Sequence, residues 1–110
     1  NKVQKALKQD GVSYIQVFTP CPTGWGTPGN LSIEIAKLAY KTKVSPLYEV
    51  ENGILSITNR PSKELPVEEY LMKQKRFKHL SQKEIEDVQH HVDSEWEKLV
   101  QLEDSKSRIS

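Results

Sequence analysis

The segment that most constrains the fold is residues 12–26, VSYIQVFTPCPTGWG, in which an apolar run leads into a loop of prolines and glycines. After Ser13 the run is mostly β-branched or aromatic and has apolar side chains on both faces, as in a strand that is covered from both sides. Strands of that kind lie at the centre of parallel sheets. The segment therefore predicts an α/β fold.

A helical pattern precedes this strand. Val3, Ala6 and Leu7 share one helical face, and Asp10-Gly11 supplies a stop. Helix, turn and strand in this order form half of a parallel crossover. The pattern has already begun at Asn1, and no initiator methionine stands before it, so we expect a piece of a longer protein.

The loop that follows is the segment whose composition is hardest to explain by packing. Residues 19–30 include three prolines and three glycines and leave the carboxyl end of the predicted strand, where ligands bind in open α/β sheets. Cys21 lies between two prolines, which restrict its backbone as a preorganised ligand or nucleophile requires. On composition alone, a small buried side chain without a function is the favoured interpretation of a lone cysteine. Nucleophilic catalysis is disfavoured because nothing in the sequence brings a base to Cys21.

The centre of the chain predicts a helix and a hairpin. Asn30 is expected to cap a largely buried helix over residues 31–42. Residues 47–50 and 54–57 are short apolar runs joined by Glu51-Asn52-Gly53, and Asn-Gly is the strongest short signal for a β-hairpin.

Two amphipathic helices are predicted in the last third of the chain. The first begins at Pro66 and continues to about Leu80. The second begins at Gln82, because residues 81–84 (SQKE) form a capping box, flanked by Leu80 and Ile85 as a hydrophobic staple. Its apolar residues recur at steps of three and four, which predicts one continuous stripe. The stripe comprises Ile85, Val88, Val92, Trp96, Leu99 and Leu102.

Composition excludes several classes of function. The 110 residues include 16 basic and 15 acidic side chains, for a net charge of +1, so the strong field needed for sequence-independent binding to nucleic acid or an anionic membrane is missing. No apolar run approaches the roughly 20 residues of a membrane span, and no signal segment is recognised, so we expect a cytoplasmic protein. The single cysteine excludes an internal disulfide and a self-contained site of four thiolates.

Other candidate groups favour plain structural interpretations. His90 and His91 are adjacent on a predicted helix, point about 100° apart and cannot easily share one metal ion. Trp25 could stack on a planar ligand, although packing into a core or an interface is the default for tryptophan. A basic cluster is nearly balanced by neighbouring glutamates, which favours a solvated face over a polyanion site. The cluster comprises Lys73, Lys75, Arg76 and Lys78.

The motifs resemble a known family. Residues 20–25 (PCPTGW), the helix that follows, residues 46–49 (PLYE) and the later stretches 66–71 (PVEEYL) and 74–80 (QKRFKHL) are similar to the C-terminal part of the β subunit of pyruvate:ferredoxin oxidoreductase. This family of thiamine-diphosphate-dependent 2-oxoacid:ferredoxin oxidoreductases is also called pyruvate synthase. The resemblance runs nearly from end to end of the chain.

The resemblance implies an enzyme that decarboxylates pyruvate oxidatively, forms acetyl-CoA from coenzyme A and reduces ferredoxin. It implies thiamine diphosphate, Mg²⁺ and a [4Fe–4S] cluster, and it makes Cys21 the fourth cysteine ligand of that cluster. The segments that bind the diphosphate and supply the other cysteines are absent here, so no catalytic or thiamine-binding residue is assigned and the isolated chain is expected to be inactive. Substrate choice could also shift to another 2-oxoacid.

The implied architecture has three parts. Residues 1–45 would end a parallel-sheet domain of the thiamine-diphosphate-binding type, residues 46–103 would add the hairpin and two helices, and residues 104–110 would be a disordered tail. The partners would be the other subunits of the complex, with a homo-oligomer possible for the isolated chain. The alternative is a non-enzymatic helical module that binds a partner protein and in which Cys21 has no role.

Overall fold

Short helices, one β-hairpin and a helix of 24 residues follow one another in the computed structural model, which describes residues 1–105. The molecule is elongated, because its Cα radius of gyration is 16.0 Å, whereas a compact domain of this length has about 13 Å. The elements in chain order are α1 (Lys2–Leu7), α2 (Pro22–Trp25), a 3₁₀ turn (Gly29–Leu31), α3 (Ser32–Lys41), β1 (Leu47–Glu51), β2 (Ile54–Asn59), α4 (Val67–Leu71), a second 3₁₀ turn (Lys75–Phe77) and α5 (Gln82–Ser105).

The hydrophobic core lies among α3, α4 and α5. It forms because each helix has an apolar stripe that can be buried only against the others. The helix predicted over residues 31–42 is confirmed, and it is largely buried on the side that faces this core. The buried residues of the core are Ile35, Leu38, Ala39, Val67, Tyr70, Leu71, Ile85 and Val92.

The predicted hairpin is confirmed. Strands β1 and β2 pair antiparallel, with Glu51 opposite Ile54 next to the turn. Asn52 and Gly53 both have positive φ, 53° and 80°, which is the type I′ geometry that matches the twist of the flanking strands. A local sequence signal was sufficient here because the turn and both strands are contiguous.

Side chains from α1 and α5 occupy the two outer edges of this hairpin. In a hairpin closed by a two-residue turn, alternate pairs point their backbone groups outward, and Tyr48 and Ile57 form such a pair. The Lys2 ammonium donates to the Tyr48 carbonyl at 3.1 Å. The Ile57 N–H donates to a Glu103 carboxylate oxygen at 2.5 Å, and this hydrogen bond is the main reason that the pKa of Glu103 is below its usual value.

The strand predicted over residues 12–18 is wrong for this chain. Residues 12–21 are free of regular secondary structure, and Val12, Tyr14 and Val17 are 101%, 83% and 72% exposed. A strand exists only where a neighbouring strand satisfies its backbone groups, and the sheet of the described residues contains β1 and β2 alone. The fold of the described chain is therefore mixed α and β with an antiparallel hairpin, not a parallel sheet.

The predicted cap at Asn30 is also wrong. A 3₁₀ turn occupies Gly29–Leu31, and α3 begins at Ser32 with Leu31 in the capping position. The Ser32 hydroxyl donates to the Gly29 carbonyl at 2.9 Å. The tight turn thus takes the place of a side-chain cap.

The single helix predicted from Pro66 to Leu80 divides into α4 and a 3₁₀ turn, because Gln74 interrupts it. Gln74 is fully buried and has an extended backbone, with φ −123° and ψ 124°. Its side-chain amide donates to the Tyr70 carbonyl at 2.9 Å. A continuing helix would have used that carbonyl for the backbone N–H of Gln74, so the side chain replaces the next helical hydrogen bond.

The capping box at the start of α5 is confirmed. The Ser81 N–H donates to the Glu84 carboxylate at 3.0 Å, and the Glu84 N–H donates to the Ser81 hydroxyl at 3.2 Å. Helix α5 continues to Ser105, and the rest of the predicted tail, residues 106–110, lies outside the described residues. No helix within residues 1–105 is both long and apolar enough to cross a membrane.

We expect the capping box to be visible in the acid stability of the chain. The backbone hydrogen bond from Ser81 lowers the pKa of Glu84. A lowered folded-state pKa adds stability above the unfolded-state pKa, and this stability is lost as the pH falls through the folded-state value. Glu84→Gln should therefore flatten the dependence of the thermal midpoint on pH below about 4.5, near the ordinary glutamate value.

Thermal unfolding followed by circular dichroism between acidic and neutral pH would measure this effect. Glu86→Gln, which removes an exposed carboxylate from the same helix, is the matched control. Ser81→Ala should lower stability by about 1 kcal/mol at neutral pH through loss of the cap. Parallel pH profiles for Glu84→Gln and Glu86→Gln would contradict the prediction.

Candidate functional site

Cys21 is at the start of the short helix α2. Pro22 is the first residue of the helix and fixes its entry. The turn is closed by the Trp25 N–H, which donates to the Cys21 carbonyl at 2.8 Å, and by the Thr27 N–H, which donates to the Pro22 carbonyl at 3.0 Å. The turn that follows Cys21 thus fixes its carbonyl, while Cys21 itself is exposed at the surface.

Gly24 makes room for the sulfur of Cys21. A methyl group at Gly24 would lie 3.2 Å from the Cys21 sulfur, closer than most such contacts in proteins. The thiol therefore lies directly against the backbone of the turn. Any side chain at position 24 would push the sulfur outward by a few tenths of an ångström.

Gly26 brings the loop against the second 3₁₀ turn. Its φ of 63° is left-handed, and a methyl group there would lie 2.7 Å from the Cβ of Lys75. The Lys75 N–H donates to the Gly26 carbonyl at 3.3 Å. The close approach requires glycine both for its backbone conformation and for its missing side chain.

Trp25 is half-buried and packs against the core, which agrees with the structural interpretation of this residue. Its ring lies 5.8 Å from the ring of Phe18. The Arg76 guanidinium lies 4.1 Å from the centre of the Trp25 ring, a cation–π distance. All four basic side chains of the cluster are exposed, as the solvated-face interpretation expects. Arg76 contacts the Trp25 ring in addition, and Lys73 forms an ordinary surface ion pair with Glu34 at 3.1 Å.

The contact between Gln74 and Arg76 was not predicted from the sequence. The Arg76 Nε donates to the Gln74 side-chain carbonyl at 2.8 Å, and the guanidinium also lies 4.4 Å from the Phe77 ring. The pattern QKRF contains an arginine next to an aromatic residue, but nothing in it points to Trp25, which is far away in the chain. The one sequence feature that marks this contact is a tryptophan between two glycines, which indicates a ring in a closely packed loop.

The described residues bring no further donor set to Cys21. No group of three or more histidine, cysteine, aspartate or glutamate side chains within residues 1–105 is arranged to hold a metal ion. His90 and His91 are both exposed on α5. The Thr27 hydroxyl, in the same loop as Cys21, is a buried oxygen without a hydrogen-bond partner among the described residues. The loop thus presents one preorganised thiol, and any larger site requires groups from outside this part of the chain.

Comparison with known proteins assigns this segment to a class of oxidoreductase subunits. The chain is 51% identical over 92 residues to pyruvate synthase subunit PorB of Methanocaldococcus jannaschii, which is 84% of this chain and 31% of that subunit. It is 50% identical over 103 residues to ketoisovalerate oxidoreductase subunit VorB of Pyrococcus furiosus, 92% of this chain and 33% of that subunit. It is 43% identical over 108 residues to PorB of Thermotoga maritima, 94% of this chain and 33% of that subunit.

The chain therefore belongs to the family of PorB-type and VorB-type oxidoreductase subunits, which confirms the resemblance seen in its motifs. It spans about a third of the length of the curated relatives it matches. No protein-family model matches the chain.

Proposed function

We propose that this chain is part of a 2-oxoacid:ferredoxin oxidoreductase, a cytoplasmic complex that decarboxylates pyruvate oxidatively, transfers the acetyl group to coenzyme A and passes electrons to ferredoxin. The observation that carries the proposal is the identity of 43% to 51% with pyruvate synthase subunits over most of the chain. The whole enzyme would contain thiamine diphosphate with Mg²⁺, to which no residue of this chain is assigned. Residues 1–45 would belong to the cofactor domain and residues 46–103 to an extension that packs on other parts of the complex.

Within that enzyme, Cys21 is proposed as one thiolate ligand of a [4Fe–4S] cluster. The exposed thiol, the two flanking prolines and the room left by Gly24 fit a ligand that must project from a fixed backbone. A cubane cluster requires four thiolates, and this chain has one cysteine, so the other three ligands would come from outside it. When bound, such a cluster accepts and donates single electrons.

The experiment that tests this role is Cys21→Ser in the intact subunit, purified with its complex and without oxygen. We expect the variant to lose the cluster or to convert it to a form with fewer irons, because a serine oxygen is a harder and weaker ligand than a thiolate for iron–sulfur chemistry. Iron content per subunit and the broad absorption near roughly 400 nm would measure the loss.

Thr23→Ser is the matched control, because it changes an exposed residue of the same loop and leaves the sulfur in place. Gly24→Ala is an intermediate variant, in which the sulfur is displaced but retained. Iron content should fall in the order wild type, Gly24→Ala, Cys21→Ser. Full iron content and unchanged absorption in Cys21→Ser would exclude the ligand role.

A branched-chain 2-oxoacid is the second candidate substrate. The VorB relative is a ketoisovalerate oxidoreductase subunit, and it is 50% identical to this chain, almost the same as the PorB relative. The ratio of kcat/KM for pyruvate and for ketoisovalerate, measured on the intact complex, distinguishes the two. The helical-module alternative predicts instead that removal of residues 81–110 abolishes assembly while Cys21→Ser has no effect.

A further inference from the structure

We propose that Arg76 is a positioning residue for the Cys21 thiolate. Its guanidinium clamps the Trp25 ring against the helical core and thereby fixes the direction in which Cys21 projects. The inference rests on the proposed ligand role of Cys21. Arg76 lies about fifty positions after Cys21 in the chain, and its side chain is not itself a ligand for an iron–sulfur cluster.

Arg76 is connected to the core through Gln74. Tyr70 is buried, and its carbonyl accepts the hydrogen bond from the fully buried Gln74 amide. The oxygen of the same amide accepts the hydrogen bond from the Arg76 Nε at 2.8 Å. Both ends of the buried amide are thus paired, as buried polar groups require, and the amide links the exposed Arg76 guanidinium to α4.

The clamp continues through two aromatic rings. The Arg76 guanidinium lies 4.1 Å from the Trp25 ring centre and 4.4 Å from the Phe77 ring centre. Phe77 is half-buried and packs against the core. A planar guanidinium can contact a ring and donate hydrogen bonds at the same time, and Arg76 both approaches the Trp25 ring and donates to Gln74.

Trp25 lies in the same helical turn as Cys21. Its backbone N–H donates to the Cys21 carbonyl, so a contact that holds Trp25 against the core also holds the turn that carries the thiol. The sulfur lies against Gly24, and the loop is anchored a second time where Gly26 contacts Lys75. The turn that carries Cys21 is therefore anchored to the second 3₁₀ turn through both Trp25 and Gly26.

An alternative is that Arg76 acts through its charge alone, since a cation near a cluster alters its reduction potential. Arg76→Lys separates the two explanations. Lysine keeps the positive charge, but it has neither the planar face nor the Nε donor of arginine. Positioning predicts that Arg76→Lys behaves like Arg76→Ala, whereas a charge effect predicts that it behaves like the wild type.

The test uses the intact, anaerobically purified complex with Arg76→Lys, Arg76→Ala and, as a control of equal charge change, Lys78→Ala at an exposed position of the same segment. The readouts are the electron paramagnetic resonance spectrum of the reduced cluster and the rate at which iron is lost to a chelator. We expect both Arg76 variants to change the spectrum and to lose iron about tenfold faster, the lower end of the effect of losing a residue that supports a metal ligand. Lys78→Ala should match the wild type.

Several outcomes overturn the proposal. One such outcome is that both Arg76 variants have the spectrum and the rate of iron loss of the wild type. Another is that Arg76→Lys matches the wild type while Arg76→Ala does not, which would indicate that the charge of Arg76 matters and its position does not. If Arg76→Ala does not assemble, Arg76→Lys together with Trp25→Leu decides, because Trp25→Leu keeps an apolar side chain but removes the ring and should give the same changes. Cys21→Ser separates failure of the proposed function from failure of the positioning role. Full iron content in Cys21→Ser overturns the ligand role of Cys21. Iron loss in Cys21→Ser, together with Arg76 variants that behave like the wild type, overturns only the positioning role.

Discussion

Gly26→Ala is expected to release the cysteine loop from the helical core and to lower the stability of the chain substantially. The left-handed backbone at position 26, with φ 63°, costs a residue with a Cβ about 1–2 kcal/mol. The new methyl group would also lie 2.7 Å from the Cβ of Lys75, which belongs to a neighbouring backbone segment and cannot swing away. The loop must therefore separate from the 3₁₀ turn, and the contact between Trp25 and Arg76 is lost with it.

Two other glycines separate the causes of this effect. Gly11 has a φ of 96° but nothing within 4 Å of its would-be methyl group, so Gly11→Ala reports the backbone cost alone. Gly29 has open space around it, and Gly29→Ala should be neutral or slightly stabilising. The midpoints of urea unfolding should therefore decrease in the order Gly29→Ala, Gly11→Ala, Gly26→Ala.

Circular dichroism would follow the helices during unfolding, and the fluorescence of Trp25 in a Trp96→Phe background would follow the loop. In Gly26→Ala the fluorescence should resemble that of solvent-exposed tryptophan under native conditions. Equal midpoints for Gly26→Ala and Gly11→Ala would mean that the close approach to Lys75 makes no contribution to stability.

Val17→Asp is expected to have opposite consequences in the isolated chain and in the intact subunit. In the isolated chain Val17 is 72% exposed, and its apolar neighbours Val12, Tyr14, Ile15 and Phe18 are exposed as well. Exposed apolar runs favour association, so the wild-type chain should self-associate and Val17→Asp should remain more monomeric at an unchanged thermal midpoint.

In an assembled subunit of the proposed oxidoreductase, segments outside the described residues are expected to cover residues 12–18 and to bury Val17. Burial of a valine side chain contributes about 1.5–3 kcal/mol, and a buried, unpaired carboxylate is strongly unfavourable. Val17→Asp should then abolish accumulation of the assembled complex.

Sedimentation velocity measures the first effect, and the yield of complex after co-expression measures the second. Gln16→Asp in the isolated chain is the control, because it adds the same charge next to Val17 without removing apolar surface. A wild-type yield of complex with Val17→Asp would mean that Val17 is not buried in the assembled protein.

The parts of the fold that the sequence predicts correctly are those determined within a few residues. The turn at Asn52-Gly53 and the capping box of Ser81 and Glu84 each place donor and acceptor close together in the chain. The strand at residues 12–18 fails in this chain because its pattern describes an environment that the described residues do not supply. The break at Gln74 was hidden because a glutamine is a good helix former, and only its burial against Tyr70 reveals the interruption.

The candidate site likewise has a part that the sequence predicts and a part that it does not. The prolines around Cys21 predict a fixed loop, and the structure places that cysteine on a closed turn with its thiol exposed. The support of the loop by Arg76 could not be predicted, because a cation–π contact across about fifty residues leaves no periodic trace in the sequence. Glycine at position 26 is equally uninformative in the sequence, since the need for it arises only from the proximity of Lys75.

The occupied edges of the hairpin have a consequence for how copies of this chain can aggregate. A free strand edge is a template for cross-β growth, yet the Tyr48 carbonyl is occupied by Lys2 and the Ile57 N–H by Glu103. At neutral pH one outward backbone group on each strand is therefore already paired within the chain, which hinders the addition of another strand at that point. Protonation of Glu103 weakens the hydrogen bond from Ile57, so acid uncovers one edge, and the fibril-forming tendency of the chain should rise as the pH falls below the lowered pKa of that carboxyl group.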